Sequence, residues 1–187
     1  MTQLSTNNLS LVKDYVESKV KQYAQYLTFS VAGEQLAINI SEVEEIIEIN
    51  HITHVPMTPD YISGVIHLRG NVVPVVDLSA RLTNTICTFT KLTCIILVEI
   101  NTGSSNQQIG MIVDQVEDII EISNNDTKPP PGFGGEINVD FIQAMGKVDD
   151  NFIILLEVSK ILSTKELSQL HKLSNAELAD KMNHIEE

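Results

Sequence analysis

The sequence is poor in the residues on which nucleic-acid and membrane-surface binding depend. Aromatic residues make up 5% of its 187 positions and tryptophan is absent. Lys and Arg together number 12, against 25 Asp and Glu, for a formal net charge of −13. Phosphate contacts require Lys and Arg, and single strands also stack on aromatic side chains, so the composition argues against nucleic-acid binding. The negative charge also disfavours anionic membrane surfaces.

Long apolar runs and cysteines are scarce as well. The longest uninterrupted apolar runs, residues 94–98 and 152–156, have five residues each, far fewer than the roughly 18 that a membrane span needs. Residues 1–5 have neither the basic region nor the apolar stretch of a secretory signal. Two cysteines, Cys87 and Cys94, do not make a disulfide scaffold. We therefore expect a cytoplasmic protein.

The sequence also lacks a catalytic or metal-binding motif. It has no phosphate-binding loop and no nucleophile elbow. His51 and His54 are three residues apart and could face one metal ion, but no further ligand is placed to complete a zinc site. Glu44 and Glu45 form a carboxylate pair without an accompanying nucleophile, and exposed acids are common. We expect no enzymatic activity, no cofactor and no metal, and interpret the protein as one that binds partners.

The residue pattern predicts strands between two helical ends. Apolar residues at helical spacing predict a helix over residues 1–25, with Ser10 as its N-cap. Proline and glycine predict a loop after Lys128. Capping boxes at Ser163 and Ser174 predict two short helices or one kinked helix in residues 163–187. Short β-branched runs predict strands at residues 26–31, 35–40, 72–76, 92–100, 109–113 and 152–158.

The chain contains an internal duplication. Residues 43–49 and 116–122 are identical at six of seven positions, at an offset of 73. After a seven-residue insertion the offset becomes 80, so that residues 71–73 match residues 151–153 and residues 77–79 match residues 157–159. A repeated unit buries its apolar face most easily against its own copy. We predict two β-subdomains of about five strands each around a shared core, with residues 26–82 and 92–162 folding as superimposable barrels related by a twofold.

Residues 64–78 read Gly-Val-Ile-His-Leu-Arg-Gly-Asn-Val-Val-Pro-Val-Val-Asp-Leu. This segment resembles the signature of the CheW family of bacterial chemotaxis coupling proteins, in which Gly-Val-x-Asn-Leu-Arg-Gly precedes an apolar run and a Pro-x-x-Asp-Leu segment. His67 replaces the usual asparagine, and Ser79 stands where arginine is common. The resemblance extends from Tyr26 to about Leu162 and includes the Ile-Gly-Met-Ile-Val-Asp motif at residues 109–114.

The resemblance implies a mainly β fold with two SH3-like, five-stranded β-barrel subdomains. They would be related by a pseudo-twofold and intertwined within residues 26–162, with N-terminal and C-terminal helices on either side. It also implies a non-enzymatic adaptor that binds the regulatory domain of the histidine kinase CheA and the cytoplasmic tip of methyl-accepting chemoreceptors in membrane-associated arrays. The coupling part of a CheV-type protein is an alternative, which we expect less because no room for a receiver domain follows residue 187. A β-barrel domain that binds a small ligand or an oligonucleotide is another.

The resemblance further implies two groups of partner-binding residues. The first would contact the kinase, although Gly132 replaces the acid that usually precedes the phenylalanine of this group. The second would contact the receptor. For both groups there are purely structural alternatives, namely apolar side chains in the core, a phenylalanine folded over its own barrel and an arginine paired with a nearby glutamate. The kinase group is Val43, Glu44, Glu45, Ile46, Lys128 and Phe133, and the receptor group is Arg69, Cys94, Ile95, Val113 and Val116.

Overall fold

A computed structural model describes three parts of the chain, residues 23–101, 106–131 and 140–183. The predicted N-terminal helix lies outside these residues, Ser10 included, except at its last three positions. There the prediction is wrong, because Tyr23 begins the first strand and pairs with Ser123. Ala24 packs beside the buried Ile122 in an apolar cluster, which favours extended backbone at this point.

The described residues contain eleven strands, three helices and two single 3₁₀ turns, Ile40–Glu42 and Asn124–Asp126. The strands are β1 (Tyr23–Val31), β2 (Glu34–Asn39), β3 (Val43–Glu48), β4 (Ile62–Leu68), β5 (Asn71–Asp77), β6 (Cys94–Asn101), β7 (Asn106–Val113), β8 (Gln115–Ser123), β9 (Thr127–Lys128), β10 (Ile142–Val148) and β11 (Asn151–Leu156). The helices are α1 (Leu78–Thr83), α2 (Val158–Ile161) and α3 (Thr164–Asn183).

The strands form two sheets with the same internal order. Sheet A has the order β8-β1-β2-β11-β10-β9, and sheet B has the order β3-β6-β7-β5-β4. The repeat counterparts are β1 and β6, β2 and β7, β3 and β8, β4 and β10, and β5 and β11. When each strand of sheet B is replaced by its counterpart, the order becomes β8-β1-β2-β11-β10, which is that of the first five strands of sheet A. The duplicated segments, residues 43–49 and 116–122, therefore lie on the equivalent edge strands β3 and β8. The predicted mainly β fold with a pseudo-twofold is confirmed.

Each sheet combines strands from both repeat copies. The β1–β2 hairpin joins β8 to β11 in sheet A, and the β6–β7 hairpin joins β3 to β5 in sheet B. The parallel pairs β2–β11 and β5–β7 make these connections between copies. Residues 26–82 and 92–162 therefore do not fold as one barrel each, although the duplication predicted that they would, and the exchange of hairpins agrees with the intertwined subdomains that the resemblance implied. β3 also pairs with β6 and β8 with β1, so each sheet is built from both copies, and residues of both copies form the central apolar cluster.

The central core lies between the outer faces of the two sheets. Sheet B curls around a second, smaller apolar cluster of its own. Strand side chains alternate between faces, so in β6 Ile96 and Val98 face the central core, while Ile95 and Leu97 face the cluster inside the curled sheet. Burial on both faces explains why β6 reads as a continuous apolar run. Side chains from α1, α2 and α3 also enter the central core, including Leu78, Val158, Leu167 and Leu170.

The C-terminal part differs in detail from the sequence prediction. The capping box at Ser163 is confirmed, since Ser163 N–H donates to Glu166 Oε2 at 2.6 Å and Glu166 N–H donates to Ser163 Oγ at 3.3 Å. The predicted second start at Ser174 is wrong, because α3 continues through it. The strand predicted to reach Val158 ends at Leu156, where the chain turns into α2. In the described part of the chain no helix is both long and apolar enough to cross a membrane.

Candidate functional site

The edge strand β3 presents three of the predicted kinase-binding residues at the surface. Glu44 is exposed, Glu45 is partly exposed, and Ile46 keeps 43% of its surface exposed although it is a large apolar residue. Val43 instead packs against the central core. A register shift between Val43 and Glu45 marks a β-bulge, a feature that commonly re-aims side chains at sheet edges. The structural alternative therefore holds in part for Val43 and does not hold for Ile46.

Glu45 and Arg69 form an ion pair that joins the two predicted groups. Arg69 Nη2 lies 2.9 Å from Glu45 Oε2 and 3.0 Å from Oε1. Glu45 lies on β3 and Arg69 in the turn that follows β4. Because β3 and β4 are the opposite edges of sheet B, the sheet must curl until its edges meet. A bridge between Thr53 and Val65 supports the same closure. Because the pair is exposed, its contribution to stability is about 0–1 kcal/mol, and both charges remain accessible to a partner.

The second edge strand, β8, repeats the surface pattern of β3. Gln108 donates a hydrogen bond from Nε2 to Glu44, and Gln35 donates one from Nε2 to Glu117. Both pairs are related by the offset of 73. Ile119, the counterpart of Ile46, is 52% exposed. The sequence analysis missed Ile119 and the two glutamines, although the duplication itself was the signal that could have identified them.

The two edges differ in charge at the position of the ion pair. Asp118 is the counterpart of Glu45, and Asp149 is the counterpart of Arg69 at the offset of 80. Arg69 and Asp149 both have positive φ angles, 50° and 53°, in equivalent strand-connecting turns. Two acidic residues cannot form the pair, so the equivalent ends of the molecule offer different electrostatic surfaces.

Only part of the predicted receptor group has exposed surface. Ile95 and Val113 are fully buried, the first inside sheet B and the second in the central core, so the structure does not support direct partner contacts by either. Cys94 and Val116 are half-buried at the edge of the central core. The pKa of the Cys94 thiol is raised, because the effect of burial outweighs that of a backbone hydrogen bond with Val116, which lowers the pKa. That bond joins β6 of sheet B to β8 of sheet A.

Of the two residues predicted for the second kinase-binding surface, Lys128 and Phe133, only Lys128 is among the residues that the structure describes. Lys128 is exposed on β9, with its Nζ 5.9 Å from the centre of the Phe152 ring. Phe133 and its neighbour Gly132 lie outside the described residues. Phe152 did not emerge from the sequence analysis, because an apolar residue inside a strand reads as a core residue.

The described residues show little reactive chemistry. In residues 23–101, 106–131 and 140–183 no group of three or more His, Cys, Asp or Glu is placed to hold a metal ion. Cys87 is buried, and its thiol donates to Asp114 Oδ1 at 3.2 Å. Burial, together with this hydrogen bond to Asp114, raises the Cys87 pKa to about 12. The thiolate is the nucleophilic form of cysteine, and a thiol of such high pKa forms almost no thiolate near neutral pH.

Comparisons with known proteins point to one family. The CheW-like domain family matches residues 25–166. The chemotaxis protein CheW of Bacillus subtilis is 30% identical over 153 residues, which cover 81% of this chain and 94% of that protein. The crystal structure of the scaffolding protein TtCheW from Thermoanaerobacter tengcongensis is 35% identical with a TM-score of 0.67, and the match covers 75% of this chain and 88% of that one. Chemotaxis protein CheV3 of Helicobacter pylori is 29% identical, and the match covers only 42% of its length.

Proposed function

The chain belongs to the CheW family, and from this membership we propose that it is a non-enzymatic adaptor that couples methyl-accepting chemoreceptors to the histidine kinase CheA. A scaffolding role in chemotaxis is the part that follows from the family alone. We add to this role the identities of the two partners and the location, which is the cytoplasm at membrane-associated receptor arrays. The adaptor would reach these arrays through its partners.

The observation that carries the proposal is the pair of equivalent, exposed edge strands. An adaptor needs separate surfaces on one rigid body, and the pseudo-twofold supplies them at β3 and β8, each with an exposed isoleucine beside carboxylates. Exposed apolar side chains rimmed by polar groups are typical of protein interfaces. The shared central core holds the two edges in a fixed relation, so that partners bound at both would have a defined geometry.

We assign the first kinase surface to Glu44, Glu45 and Ile46, with Val43 beneath them. Lys128 belongs to the second surface, and Phe133 stays a prediction there. For the receptor we retain three of the predicted residues, Arg69, Cys94 and Val116, since Ile95 and Val113 can act only as their buried support. The CheV-type alternative is not better supported, because the match to CheV3 leaves more than half of that protein uncovered.

Titration of the purified CheA regulatory domain tests the proposal. Glu45→Lys should weaken binding by about tenfold or more, the equivalent of about 1.4 kcal/mol, because it reverses a charge at the centre of the surface. Asp60→Lys is the matched control, since Asp60 is an exposed acid in the loop that precedes β4. Melting temperatures should change little in both variants, because neither charge is buried.

A charge swap separates direct contact from an indirect effect through Arg69. The double variant Glu45→Lys with Arg69→Glu can form the ion pair again in reversed order. If Glu45 contacts the kinase directly, the swap leaves binding weak. Recovery of wild-type affinity by the swap would show that Glu45 only positions Arg69, and unchanged affinity in Glu45→Lys itself would refute the assignment of this surface.

A further inference from the structure

The loop between β3 and β4, residues 49–61, displays an apolar side chain at the surface. Among the large apolar side chains that the structure describes, that of Met57 is the most exposed, and its whole surface is accessible. Leaving an apolar side chain in water is unfavourable. A single exposed apolar residue is common on protein surfaces, so the surroundings of Met57 decide whether it has a partner.

The backbone of this loop is fixed in a conformation that is rare for a residue with a side chain. Met57 has a φ angle of 62°, in the left-handed region that residues other than glycine seldom adopt. The rings of Pro56 and Pro59 restrict the backbone on either side, and Thr58 Oγ1 donates to Val55 O at 2.9 Å. Rare conformations that are held in this way cluster at functional sites. A stiff loop also loses little entropy when its side chain is bound.

A cavity of about 380 Å³ lies beside Met57, between the loop and helix α3. Apolar residues of both elements and of β4 line it, namely Pro56, Pro59, Ile62 and Leu170. Met57 borders the same cavity, but its side chain is fully exposed and does not fill it. The molecule therefore carries an apolar projection and an apolar cavity next to each other on one surface.

The loop and the cavity carry little free acidic charge. Residues 49–59 contain no Asp or Glu, in a chain of net charge −13. Among the described residues that line the cavity, Glu166 is the only acid. Its carboxylate accepts a hydrogen bond from Tyr61 and lies 3.5 Å from Arg81 Nη1, while the exposed Lys172 adds a positive charge to the lining. Two copies of a strongly acidic chain repel each other, and this repulsion is weakest where surfaces of this kind meet.

We propose that this surface is a contact between two copies of the chain, in which Met57 of each copy enters the cavity of the other. A contact with twofold symmetry uses the same patch on both copies and must therefore be complementary to itself. An apolar projection beside an apolar cavity meets this requirement, because one contact buries both methionines and fills both cavities. A second copy supplies the matching projection and also the low acidic charge. The inference is independent of the proposed function, since the contact requires no other protein.

Sedimentation velocity of four full-length proteins over a range of concentrations tests the inference. These are the wild type, Met57→Glu, Met57→Leu and the control Ile86→Glu. Ile86 is also an exposed apolar residue, at 67%, but it lies in the segment between α1 and β6. We expect the wild type to self-associate as its concentration rises, and more strongly at higher salt, because salt screens the repulsion between acidic copies. Met57→Glu should raise the Kd of self-association by about tenfold or more, because it replaces an apolar anchor with a charge, whereas Met57→Leu and Ile86→Glu should change it little.

Three outcomes would overturn the inference. One is a wild-type chain that stays monomeric at every concentration, and another is an equal loss of self-association in Met57→Glu and Ile86→Glu, which would place the contact elsewhere. The third is self-association that weakens as salt is added, since the contact would then depend on ion pairs. Titration of the CheA regulatory domain covers another occupant. If the wild type is monomeric and Met57→Glu loses kinase affinity, this surface contacts the kinase and not a second copy.

Discussion

Gly64 is the residue at which the closure of sheet B is most sensitive to one added methyl group. Its φ angle is +140°, and a Cβ atom on it would lie 2.1 Å from the carbonyl oxygen of Thr53. Thr53 N–H donates to Val65 O at 2.8 Å, and Val65 N–H donates to Thr53 O at 2.9 Å. A methyl group at Gly64 would therefore force the backbone of Thr53 away and break both bonds.

The cost of Gly64→Ala can be worked out from these contacts. Each lost backbone hydrogen bond contributes about 1 kcal/mol, and backbone strain in a region nearly restricted to glycine adds about 1–3 kcal/mol. We expect a loss of about 4 kcal/mol in the free energy of unfolding, a large fraction of the 5–15 kcal/mol usual for a domain. Ala144, the counterpart of Gly64 in β10, follows the same kind of register shift. The bulge itself thus tolerates a side chain, but Ala144 lacks the positive φ angle of Gly64, so at Gly64 the backbone angle and the approach of Thr53 together require glycine.

Urea unfolding of Gly64→Ala and Gly33→Ala measures this cost. Gly33 also has a positive φ angle, +82°, but a Cβ atom there would meet nothing within 4 Å. Gly33→Ala should cost about 1 kcal/mol through its backbone conformation alone. Equal losses in the two variants would refute the reasoning, because they would show that the backbone angle, and not the contact with Thr53, sets the cost.

Two further predictions concern helix α3. Leu170→Ala should lower the free energy of unfolding in urea by about 2–5 kcal/mol, because Leu170 is buried in the central core. The control Gln169→Ala, at an exposed neighbouring position, should change it very little. Similar losses in the two variants would show that α3 is not docked on the core. Burial alone would raise the pKa of Glu166, but hydrogen bonds from Ser163 and Tyr61 outweigh it and lower the pKa. Ionised Glu166 then stabilises the fold above the ordinary glutamate pKa of about 4.3, and this contribution is lost as the pH falls through the lower folded pKa. Glu166→Gln should therefore be less stable than the wild type at pH 7, by a margin that shrinks below about pH 4, and a margin independent of pH would contradict the assignment.

The fold class and the repeat could be predicted from the sequence because both depend on local patterns. Short β-branched runs between turn residues identify strands, and matching segments at offsets of 73 and 80 identify two equivalent units. The capping box at Ser163 was predictable for the same reason, since its two partners are three residues apart. The apparent second box at Ser174 misled, because Ser and Glu three residues apart also occur within a helix that continues.

The tertiary structure decided how the copies combine and which side chains are free to bind. Local patterns are the same whether a strand pairs within its own copy or with the other, so the exchange of hairpins between the sheets needed the three-dimensional fold. Ile95 and Cys94 are neighbours in one apolar run, but their side chains point to opposite faces of β6. Ile95 is fully buried inside the curled sheet B, whereas Cys94 is half-buried at the edge of the central core. The sequence by itself determined that Val72 and Phe152 are equivalent. The cover that Val55 and α3 provide on sheet B decided that Val72 is buried while Phe152 is exposed, because cover by residues distant in the sequence leaves no mark on the strand that they cover.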